Sequence, residues 1–206
     1  MPRLIIASAA QFEISPVIDS LSGLGIEATV VNTGVGLTES SIVASRLRDL
    51  VSGRDVIFCC TGGVIGSFST VEMFRAISVE LAPHDVRNGA TYLLNQYEPK
   101  LSFTCLPMML PERAVYGSLG ISREIDKSPS SGEPLETIEL YGVARAWLPV
   151  AKSFTAIVAS TNAIGPQAHE QWAANFIAAS KLTASFLARE LPRLGFATKG
   201  AKHAAY

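Results

Sequence analysis

Two glutamates and an asparagine in this sequence stand where a side chain can act on a ligand. The first, Glu13, comes just after a short apolar run, Leu4–Ser8, and near the start of an amphipathic segment. A carboxylate in this place either complements the positive end of a helix dipole or, at a strand end, holds or deprotonates water. The position of Glu13 in the sequence is compatible with both interpretations.

Asn162 lies at a predicted junction between a strand and a helix. The apolar run Phe154–Ala159 ends in Ser160, Thr161 and Asn162, and a Gly165–Pro166 break precedes a long alanine-rich helix pattern. This pattern predicts a buried strand that brings its last polar residues to the carboxyl edge of a sheet, where open α/β proteins bind ligands. The alternative is a plain junction in which Asn162 is an ordinary turn residue.

The third candidate, Glu139, falls in a segment that reads as a helix over Leu135–Trp147, with Pro134 in its first turn. Glu136 and Glu139 are three residues apart and would be neighbours on that helix. A glutamate beside a buried apolar stripe costs free energy unless a partner compensates it, and a pair of ligand hydroxyls would do so. A solvated charge on the flank of the helix is the alternative.

Two glycine-rich segments follow neighbouring predicted strands. The first is Thr33–Gly36, with Gly34 and Gly36 placed so that backbone amides can approach a ligand, and the second is Thr61–Gly66. Together they suggest one pocket for an anion or a sugar, although glycines can also relieve crowding where strands diverge. The third glycine of the dinucleotide fingerprint is missing, and no acidic residue ends the following strand, so we expect no nucleotide cofactor.

These residues are set in a chain that alternates between strand and helix patterns, without an internal repeat. We expect one domain over residues 1–194, a flexible tail over 195–206, a loop over Lys127–Pro134 and a surface position for His84. The predicted strands are Leu4–Ser8, Ala28–Asn32, Asp55–Cys60, Ala76–Leu81, Phe103–Met109, Ala114–Ser122 and Phe154–Ala159. The predicted helices are Ile14–Leu24, Ser41–Val51, Leu135–Trp147 and a last one that continues past Trp172 to Leu191.

Composition narrows the class of protein. The 206 residues are 48% hydrophobic and 17% charged, with a net charge of −1, so the chain can bury one sizeable core and has no basic nucleic-acid footprint. Cys59, Cys60 and Cys105 lie in apolar runs without the spacing of metal ligands, which is typical of core thiols in a cytosolic protein. With neither a signal peptide nor a membrane-spanning run, we expect a cytoplasmic protein without a bound metal.

Taken in order, five segments resemble the nucleoside phosphorylase/hydrolase superfamily, most closely its futalosine hydrolases, which are relatives of the methylthioadenosine/S-adenosylhomocysteine nucleosidases. Each segment is only modestly specific, and the ordered set is more so. An asparagine after the strand, with a tryptophan downstream, is the feature that favours the futalosine hydrolases. The five segments are Ile5–Ile14, Thr33–Gly36, Gly63–Phe68, Leu135–Glu139 and Ala159–Trp172.

The resemblance implies a fold and a set of roles. The fold is a single-domain, three-layer α/β/α arrangement around a central mixed, twisted and partly closed sheet. Glu13 matches the catalytic glutamate that orients and deprotonates water, Glu139 the glutamate that binds ribose hydroxyls, and Asn162 replaces the acid that hydrogen-bonds the purine. The remaining implied substrate-binding residues are Gly34, Val64, Ile65, Gly66, Tyr116, Ile138 and Thr161, with Ile138 in place of the usual methionine.

Some positions depart from the family pattern. Leu140 and Tyr141 stand where small residues are usual, and Val158 stands where an arginine is often found. Bulk at Leu140 and Tyr141 would narrow the pocket or change how the helix packs, and an asparagine cannot protonate the base directly. These departures fit a variant specificity and also fit an inactive relative.

Four hypotheses follow. The leading one is hydrolysis of a nucleoside with release of a purine-type base, futalosine or 6-amino-6-deoxyfutalosine of menaquinone biosynthesis being the implied substrate. The others are a methylthioadenosine-type nucleosidase, a phosphorylase and a non-catalytic nucleoside-binding protein. The phosphorylase ranks lower because neither glycine-rich turn carries an arginine. We expect a homodimer or larger homo-oligomer that acts on a small molecule, with no nucleic-acid or membrane partner.

Overall fold

Strands and helices alternate along the part of the chain that the computed structural model describes, residues 2–81, 98–119 and 135–196. The strands are β1 Leu4–Ser8, β2 Ala28–Asn32, β3 Asp55–Val64, β4 Met73–Leu81, β5 Lys100–Ser102, β6 Glu112–Gly117, β7 Leu135–Thr137 and β8 Ser153–Ala163. The helices are α1 Gln11–Gly23, α2 Leu37–Arg46, α3 Arg48–Val51, α4 Leu140–Trp147 and α5 Ala168–Arg193. The predictions for His84, for the loop 127–134 and for the tail beyond residue 196 lie outside the described residues.

The described strands form one mixed sheet that closes on itself. From the edge inward, β2, β1, β3 and β8 run parallel, and β8 continues to β4 in the antiparallel sense. β4 pairs with β6, β6 with β7, and β7 returns to the end of β3, so β3, β8, β4, β6 and β7 form a ring of pairings. The predicted mixed, partly closed sheet is therefore confirmed.

Both faces of the sheet are buried, as β1 illustrates. Ile5 and Ala7 belong to one apolar cluster and Leu4 and Ile6 to another, because alternate side chains of a strand point to opposite faces. Helices α2 and α4 pack on each other beside the first cluster, and α1 and α5 do so beside the second. This arrangement is the predicted three-layer α/β/α architecture.

The helix predicted over Leu135–Trp147 is wrong in its first part. Residues Leu135–Thr137 form β7, and α4 begins only at Leu140. β7 pairs with β3, where Gly63 lies opposite Glu136, and with β6. These ladder hydrogen bonds close the ring and override the local helix pattern. Glu136 and Glu139 therefore do not share a helix, although both remain buried.

The strand predicted over Phe103–Met109 is also wrong. The strand in this region is β5, and it ends at Ser102. Beyond it, the N–H of Leu106 donates to Oγ1 of Thr155 at 2.7 Å instead of entering a ladder, and Pro107 has no N–H to donate. Single backbone hydrogen bonds join Phe103 to Ile77 of β4 and Thr104 to Phe154 of β8, and hydrophobic composition alone did not reveal that they do not continue as a ladder.

None of the helices in the three described ranges combines the length and the apolar character that crossing a membrane requires.

Candidate active site

A cavity of about 300 Å³ opens at the carboxyl ends of the strands. Its walls come from the segments that follow β1, β2 and β7 and from the last residues of β3 and β8, together with the start of α5. At this edge the carboxyl ends of the parallel strands β1, β3 and β8 expose polar backbone and side-chain groups to a ligand. The lining residues are Ala9, Ala10, Phe12, Glu13, Val35, Thr61, Gly62, Gly63, Glu136, Thr137, Ile138, Glu139, Asn162, Ile164, His169 and Trp172.

Glu13 reaches this cavity from the first turn of α1. Its Oε1 accepts a hydrogen bond from the Thr61 hydroxyl at 3.2 Å, whereas its Oε2 is buried and has no hydrogen-bond partner among the described residues. Burial raises the pKa of Glu13 from 4.5 to about 7, and the negative charge of Glu139 contributes to the rise. Hydrogen bonds from Thr61 and from the backbone of Ala10 oppose the rise. A carboxylate with a pKa near neutrality at the lining of a cavity is suited to accept a proton from a bound water.

Glu139 lies at the N-cap position of α4, immediately after β7. Its Oε1 accepts a hydrogen bond from the backbone N–H of Gly36 at 3.0 Å, at the N-terminus of α2. Burial raises the pKa of Glu139, and the Gly36 N–H opposes that rise. Gly36 has φ 83° and ψ 161°, a conformation that essentially only glycine adopts without strain. The first glycine-rich turn thus holds a carboxylate in the cavity through Gly36.

Asn162 is aimed by a β-bulge near the end of β8. The register against β3 shifts there, so that Gly62 faces Ser160 and Gly63 faces Asn162, which leaves Thr161 as the extra residue. A bulge of this kind changes the direction in which the following side chain points. In consequence Thr161 is buried behind Asn162 and Asn162 lines the cavity.

Two hydrogen bonds fix the orientation of the Asn162 amide. The hydroxyl of Thr161 donates to Asn162 Oδ1 at 2.9 Å, and Asn162 Nδ2 donates to the carbonyl of Ala163 at 3.0 Å. A Cβ atom on Gly63 would lie 2.9 Å from Asn162 Nδ2, so glycine is needed where β3 passes this amide. Because Nδ2 carries two hydrogens, one remains to donate to an acceptor in the cavity.

Aromatic rings form the mouth of the cavity. Trp172 stacks on Phe176 with 5.1 Å between ring centroids and on His169 with 5.6 Å, and Phe12 meets Trp172 edge-on at 6.0 Å. The indole Nε1 of Trp172 also donates to Oγ1 of Thr61 at 3.2 Å. Phe12, His169 and Trp172 thus add aromatic side chains to a lining that also contains the glutamates and Asn162.

Four of the residues singled out from the sequence line this one cavity: Glu13, Ile138, Glu139 and Asn162. The other six do not line it. Val64 packs beside the apolar core, Thr161 lies buried behind Asn162, and Gly34 donates its N–H to the carbonyl of Ala9 at 3.1 Å. Ile65 and Gly66 follow the end of β3, and Tyr116 lies in β6. In the second glycine-rich segment, Thr61, Gly62 and Gly63 take the lining positions instead.

The bulky departures from the family pattern face away from the cavity. Leu140 and Tyr141 are buried in the apolar cluster beside α2, and the Tyr141 hydroxyl donates to the carbonyl of Glu98 at 2.6 Å. Val158 belongs to the same cluster. These side chains therefore do not fill the ligand space.

Several lining residues were not predicted. Thr61 belongs to a segment noted for its glycines, and its contact with Glu13 joins residues far apart in the sequence. Phe12 and His169 could be connected with the site only once the structure was known. Phe12 adjoins Glu13, and His169 is three residues before Trp172 on one helix face. Glu136 was predicted to lie in a helix, but it belongs to β7. It reaches the cavity through β7.

The charge of the site is negative. Three carboxylates, those of Glu13, Glu136 and Glu139, line the cavity, and no lysine or arginine does so among the described residues. Within residues 2–81, 98–119 and 135–196, no group of three histidine, cysteine or acidic side chains is arranged to hold a metal ion. The site thus offers hydrogen-bond acceptors and one amide donor to a ligand that is neutral or positively charged where it meets the glutamates.

No protein-family model matches the chain, and no curated protein matches it either. Solved structures do match. A mutant of futalosine hydrolase from Helicobacter pylori has a TM-score of 0.71 at 13% identity, over 94% of this chain and 100% of that one. S-adenosylhomocysteine nucleosidase from Streptococcus pyogenes, in complex with 5-methylthiotubericidin, has a TM-score of 0.73 at 16% identity, over 93% and 96% of the two chains.

A third match is a mutant of the Helicobacter pylori 5'-methylthioadenosine/S-adenosylhomocysteine nucleosidase with 5'-methylthioadenosine in its active site. It has a TM-score of 0.70 at 11% identity, over 94% of this chain and 99% of that one. The TM-scores establish a common fold. Because the sequence identities are low, the chemistry must be argued from the site itself. The chain therefore has the fold of futalosine hydrolase and of the methylthioadenosine/S-adenosylhomocysteine nucleosidases.

Proposed function

We propose that this protein hydrolyses the N-glycosidic bond of a nucleoside and releases a purine-type base. The observation that carries the proposal is the joint presence of Glu13, Glu139 and Asn162 on the lining of one cavity of about 300 Å³. Cleavage of this bond builds positive charge on the sugar and negative charge on the departing base. A hydrolase must stabilise both charges and supply an activated water.

Glu13 is the group that we assign to the water. Its carboxylate, at the lining of the cavity, accepts a proton from the water while the water oxygen bonds to the anomeric carbon. The electron pair of the broken carbon–nitrogen bond leaves with the base, which then takes up a proton from solvent. Because its pKa is about 7, Glu13 is ionised in a substantial fraction of molecules at neutral pH, as a general base must be.

Glu139 is the group that we assign to the sugar. Its Oε1 is held by the N–H of Gly36, and the carboxylate lines the cavity, where it accepts hydrogen bonds from ribose hydroxyls. The same carboxylate stabilises the positive charge that develops on the sugar ring. Ile138 lines the cavity beside it and supplies an apolar contact.

Asn162 is the group that we assign to the base. The free hydrogen on its Nδ2 donates to a ring nitrogen of a purine and stabilises the negative charge that develops there. It does not protonate the base, so the leaving group gains its proton from elsewhere. The aromatic wall of Phe12 and Trp172 provides an apolar surface for the remainder of the ligand.

Water is favoured over phosphate as the nucleophile because of the charge of the lining. A phosphate at the anomeric carbon would meet Glu13 and Glu139, and no cationic side chain of the described residues lines the cavity to offset the repulsion. A phosphorylase therefore ranks below a hydrolase. A protein that binds nucleosides without turnover is the remaining alternative.

Futalosine or 6-amino-6-deoxyfutalosine is the substrate that we propose first. The motif of an asparagine near the end of β8 with a tryptophan downstream supports it, as does the fold shared with a futalosine hydrolase. The second candidate is a 5'-methylthioadenosine-type nucleoside, the ligand held by one of the nucleosidases that share the fold. Both are purine-type nucleosides with an extended 5' substituent, and the structure-based roles of Glu13, Glu139 and Asn162 apply to either.

The experiment is an assay of base release from a nucleoside panel with and without inorganic phosphate. The panel contains both futalosines, 5'-methylthioadenosine, S-adenosylhomocysteine, adenosine and inosine. Release of base without phosphate supports hydrolysis, whereas strict phosphate dependence refutes it. Glu13→Gln should abolish turnover while calorimetry still detects nucleoside binding. Unchanged turnover in that variant would remove Glu13 from the mechanism.

We also propose that the protein forms a homodimer or larger homo-oligomer. Two lining residues of the cavity are exposed apolar side chains, Val35 at 60% and Phe12 at 48%. Ile177, which is 54% exposed, follows Phe176, and the Phe176 ring lies 5.3 Å from that of Phe12. Large apolar side chains gathered at one surface are typical of an interface. Light scattering coupled to gel filtration measures the mass directly, and a monomer at micromolar concentration would refute this part of the proposal.

A further inference from the structure

Trp172, Thr61 and Glu13 form a chain of hydrogen bonds that ends at the proposed general base. Nε1 of Trp172 donates to Oγ1 of Thr61 at 3.2 Å, and Oγ1 of Thr61 donates to Oε1 of Glu13 at 3.2 Å. An indole N–H can only donate, and a hydroxyl has a single hydrogen. With the indole donating to it, the Thr61 hydroxyl keeps its own hydrogen for Glu13.

The indole is itself held in place. Trp172 lies in the second turn of α5, between the rings of Phe176 and His169, with interplanar angles of 19° and 23°. Phe12, the residue before Glu13, meets the same ring edge-on. The ring position that directs the N–H to Thr61 is therefore fixed by packing on several sides.

We propose that Trp172 is a positioning residue for Glu13: by donating to Thr61, it keeps the Thr61 hydroxyl as a donor to Oε1 and thereby fixes the orientation of the Glu13 carboxyl group. This inference rests on the proposed function for its catalytic meaning, but the hydrogen-bond chain can be tested without substrate. Thr61 acts on Glu13 directly, and Trp172 acts only through Thr61.

The chain also affects the charge state of Glu13. The hydrogen bond from Thr61 lowers the pKa of Glu13, in opposition to burial and to the charge of Glu139. If Trp172 no longer donates, the Thr61 hydroxyl can rotate to other acceptors, and the pKa of Glu13 should rise above about 7. The titratable groups that face Glu13 or the Trp172 ring from the surrounding elements are Glu136, Glu139, Cys59, Cys60 and His169.

The substrate-free test is a pH titration of the two indole N–H signals by heteronuclear NMR. The sequence has only two tryptophans, and Trp147 is a matched control because its Nε1 donates to the carbonyl of Ala44. The Trp172 signal should titrate with a midpoint near pH 7, and this transition should vanish in Glu13→Gln and in Thr61→Val. The Trp147 signal should show no such transition.

His169 touches the Trp172 ring, so the titration is repeated in His169→Gln. Persistence of the midpoint in His169→Gln, together with its loss in Glu13→Gln, supports the chain. Loss of the midpoint in His169→Gln with its persistence in Glu13→Gln overturns it, as does a Trp172 signal that does not change with pH. Thr61→Ser keeps the hydroxyl and should restore the transition that Thr61→Val removes.

The kinetic test compares Trp172→Phe with Trp147→Phe on whichever nucleoside the protein cleaves. Phenylalanine keeps a ring at position 172 but has no N–H. The acid limb of the pH profile of kcat/KM should move to higher pH in Trp172→Phe. The ratio of kcat/KM at pH 9 to kcat/KM at pH 6 should therefore rise roughly threefold to tenfold above the wild-type ratio, whatever the change in the plateau. Trp147→Phe should leave the limb in place, and an unmoved limb in Trp172→Phe would overturn the inference.

The two tests separate the two proposals. If no nucleoside is cleaved, the proposed function fails, and the NMR titration still decides whether Trp172 and Thr61 control the charge of Glu13. If nucleosides are cleaved but the Trp172 signal does not follow Glu13, the function stands and the positioning role falls.

Discussion

The backbone N–H of Gly36 donates to Oε1 of Glu139 at 3.0 Å and thereby connects two elements that are remote in the sequence. The donor belongs to the N-terminus of α2, and the acceptor is the residue before α4. The first N–H groups of a helix have no partner within the helix, and the positive end of its dipole favours a negative charge. The N-terminus of α2 therefore opposes the rise that burial causes in the pKa of Glu139.

Replacement of Gly36 tests this connection. At φ 83° and ψ 161°, an alanine side chain is strained by roughly 1–3 kcal/mol, and relief of the strain moves the N–H away from Glu139. Gly36→Ala should lower the free energy of unfolding by about that amount and raise KM more than it lowers kcat. Denaturant unfolding and steady-state kinetics measure the two effects.

Gly23 is the matched control for Gly36. It lies at the end of α1, and nothing lies within 4 Å of a Cβ built on it. Gly23→Ala should leave KM unchanged and slightly increase stability, since alanine is the better helix residue. Equal effects of the two substitutions would show that the contact between Gly36 and Glu139 does not matter.

The charge of Glu139 should be visible in the pH dependence of the reaction. Glu13 must be ionised to accept a proton, so kcat/KM of the wild type should rise with pH through about 7. Glu139→Gln removes one of the causes that raise the pKa of Glu13, and the acid limb should therefore move to lower pH. The plateau should also fall on the order of 10²-fold, because a contact with the charged sugar is lost.

Glu27, an exposed residue, provides the control for this charge removal. Glu27→Gln should leave both the limb and the plateau of kcat/KM where they are in the wild type. The prediction fails if the limb in Glu139→Gln stays at the wild-type pH.

The layers of the fold could be predicted because the strands and helices that form them are determined by short stretches of the sequence. β1 and β3 are short apolar runs bounded by polar or glycine-rich segments, and α5 repeats its apolar positions with a helical period. Strands that alternate with helices must meet at a common carboxyl edge, so the positions of Glu13 and Asn162 at that edge followed from the pattern.

What could not be predicted depends on pairing between distant segments. β7 has three residues and exists because β3 and β6 supply hydrogen-bond partners on both sides. The bulge at Thr161 is a mismatch between β8 and β3, which the sequence of β8 alone does not contain. The contact between Trp172 and Thr61 likewise arises only once α5 has packed on the sheet.

Glu13 should make the stability of the protein depend on pH. Its pKa is 4.5 without perturbation and about 7 in the folded protein, so the folded state binds more protons than the unfolded state between these values. The stability contribution of Glu13 is therefore fully present below pH 4.5, is lost as the pH rises to about 7, and stays constant above that.

Glu13→Gln removes this dependence. The variant should unfold with a free energy that exceeds that of the wild type by roughly 2–3 kcal/mol at pH 8, with little difference at pH 4. Urea unfolding at both pH values provides the measurement. A variant less stable than the wild type at pH 8 would mean that the Glu13 carboxylate is not under electrostatic strain.

Asn162 should contribute to the departure of the base and not to the fold as a whole. In Asn162→Ala the donor on Nδ2 is lost, and the Thr161 hydroxyl can turn to the carbonyl of Gly62, which already lies 3.5 Å away. Removal of one donor to a developing negative charge typically lowers kcat by roughly 10²- to 10³-fold. We expect a loss of this size for substrates with a poor leaving base.

A nucleoside analogue with a good leaving group, such as a p-nitrophenyl riboside, provides the internal comparison, because its anion needs little stabilisation. Asn162→Ala should cleave it at close to the wild-type rate, whereas Glu13→Gln should fail with both kinds of substrate. Asn32→Ala, which removes an exposed amide, should behave as the wild type. If Asn162→Ala lost activity equally on both substrates, its effect would lie in the sugar or water position, and the assignment of Asn162 to the base would be wrong.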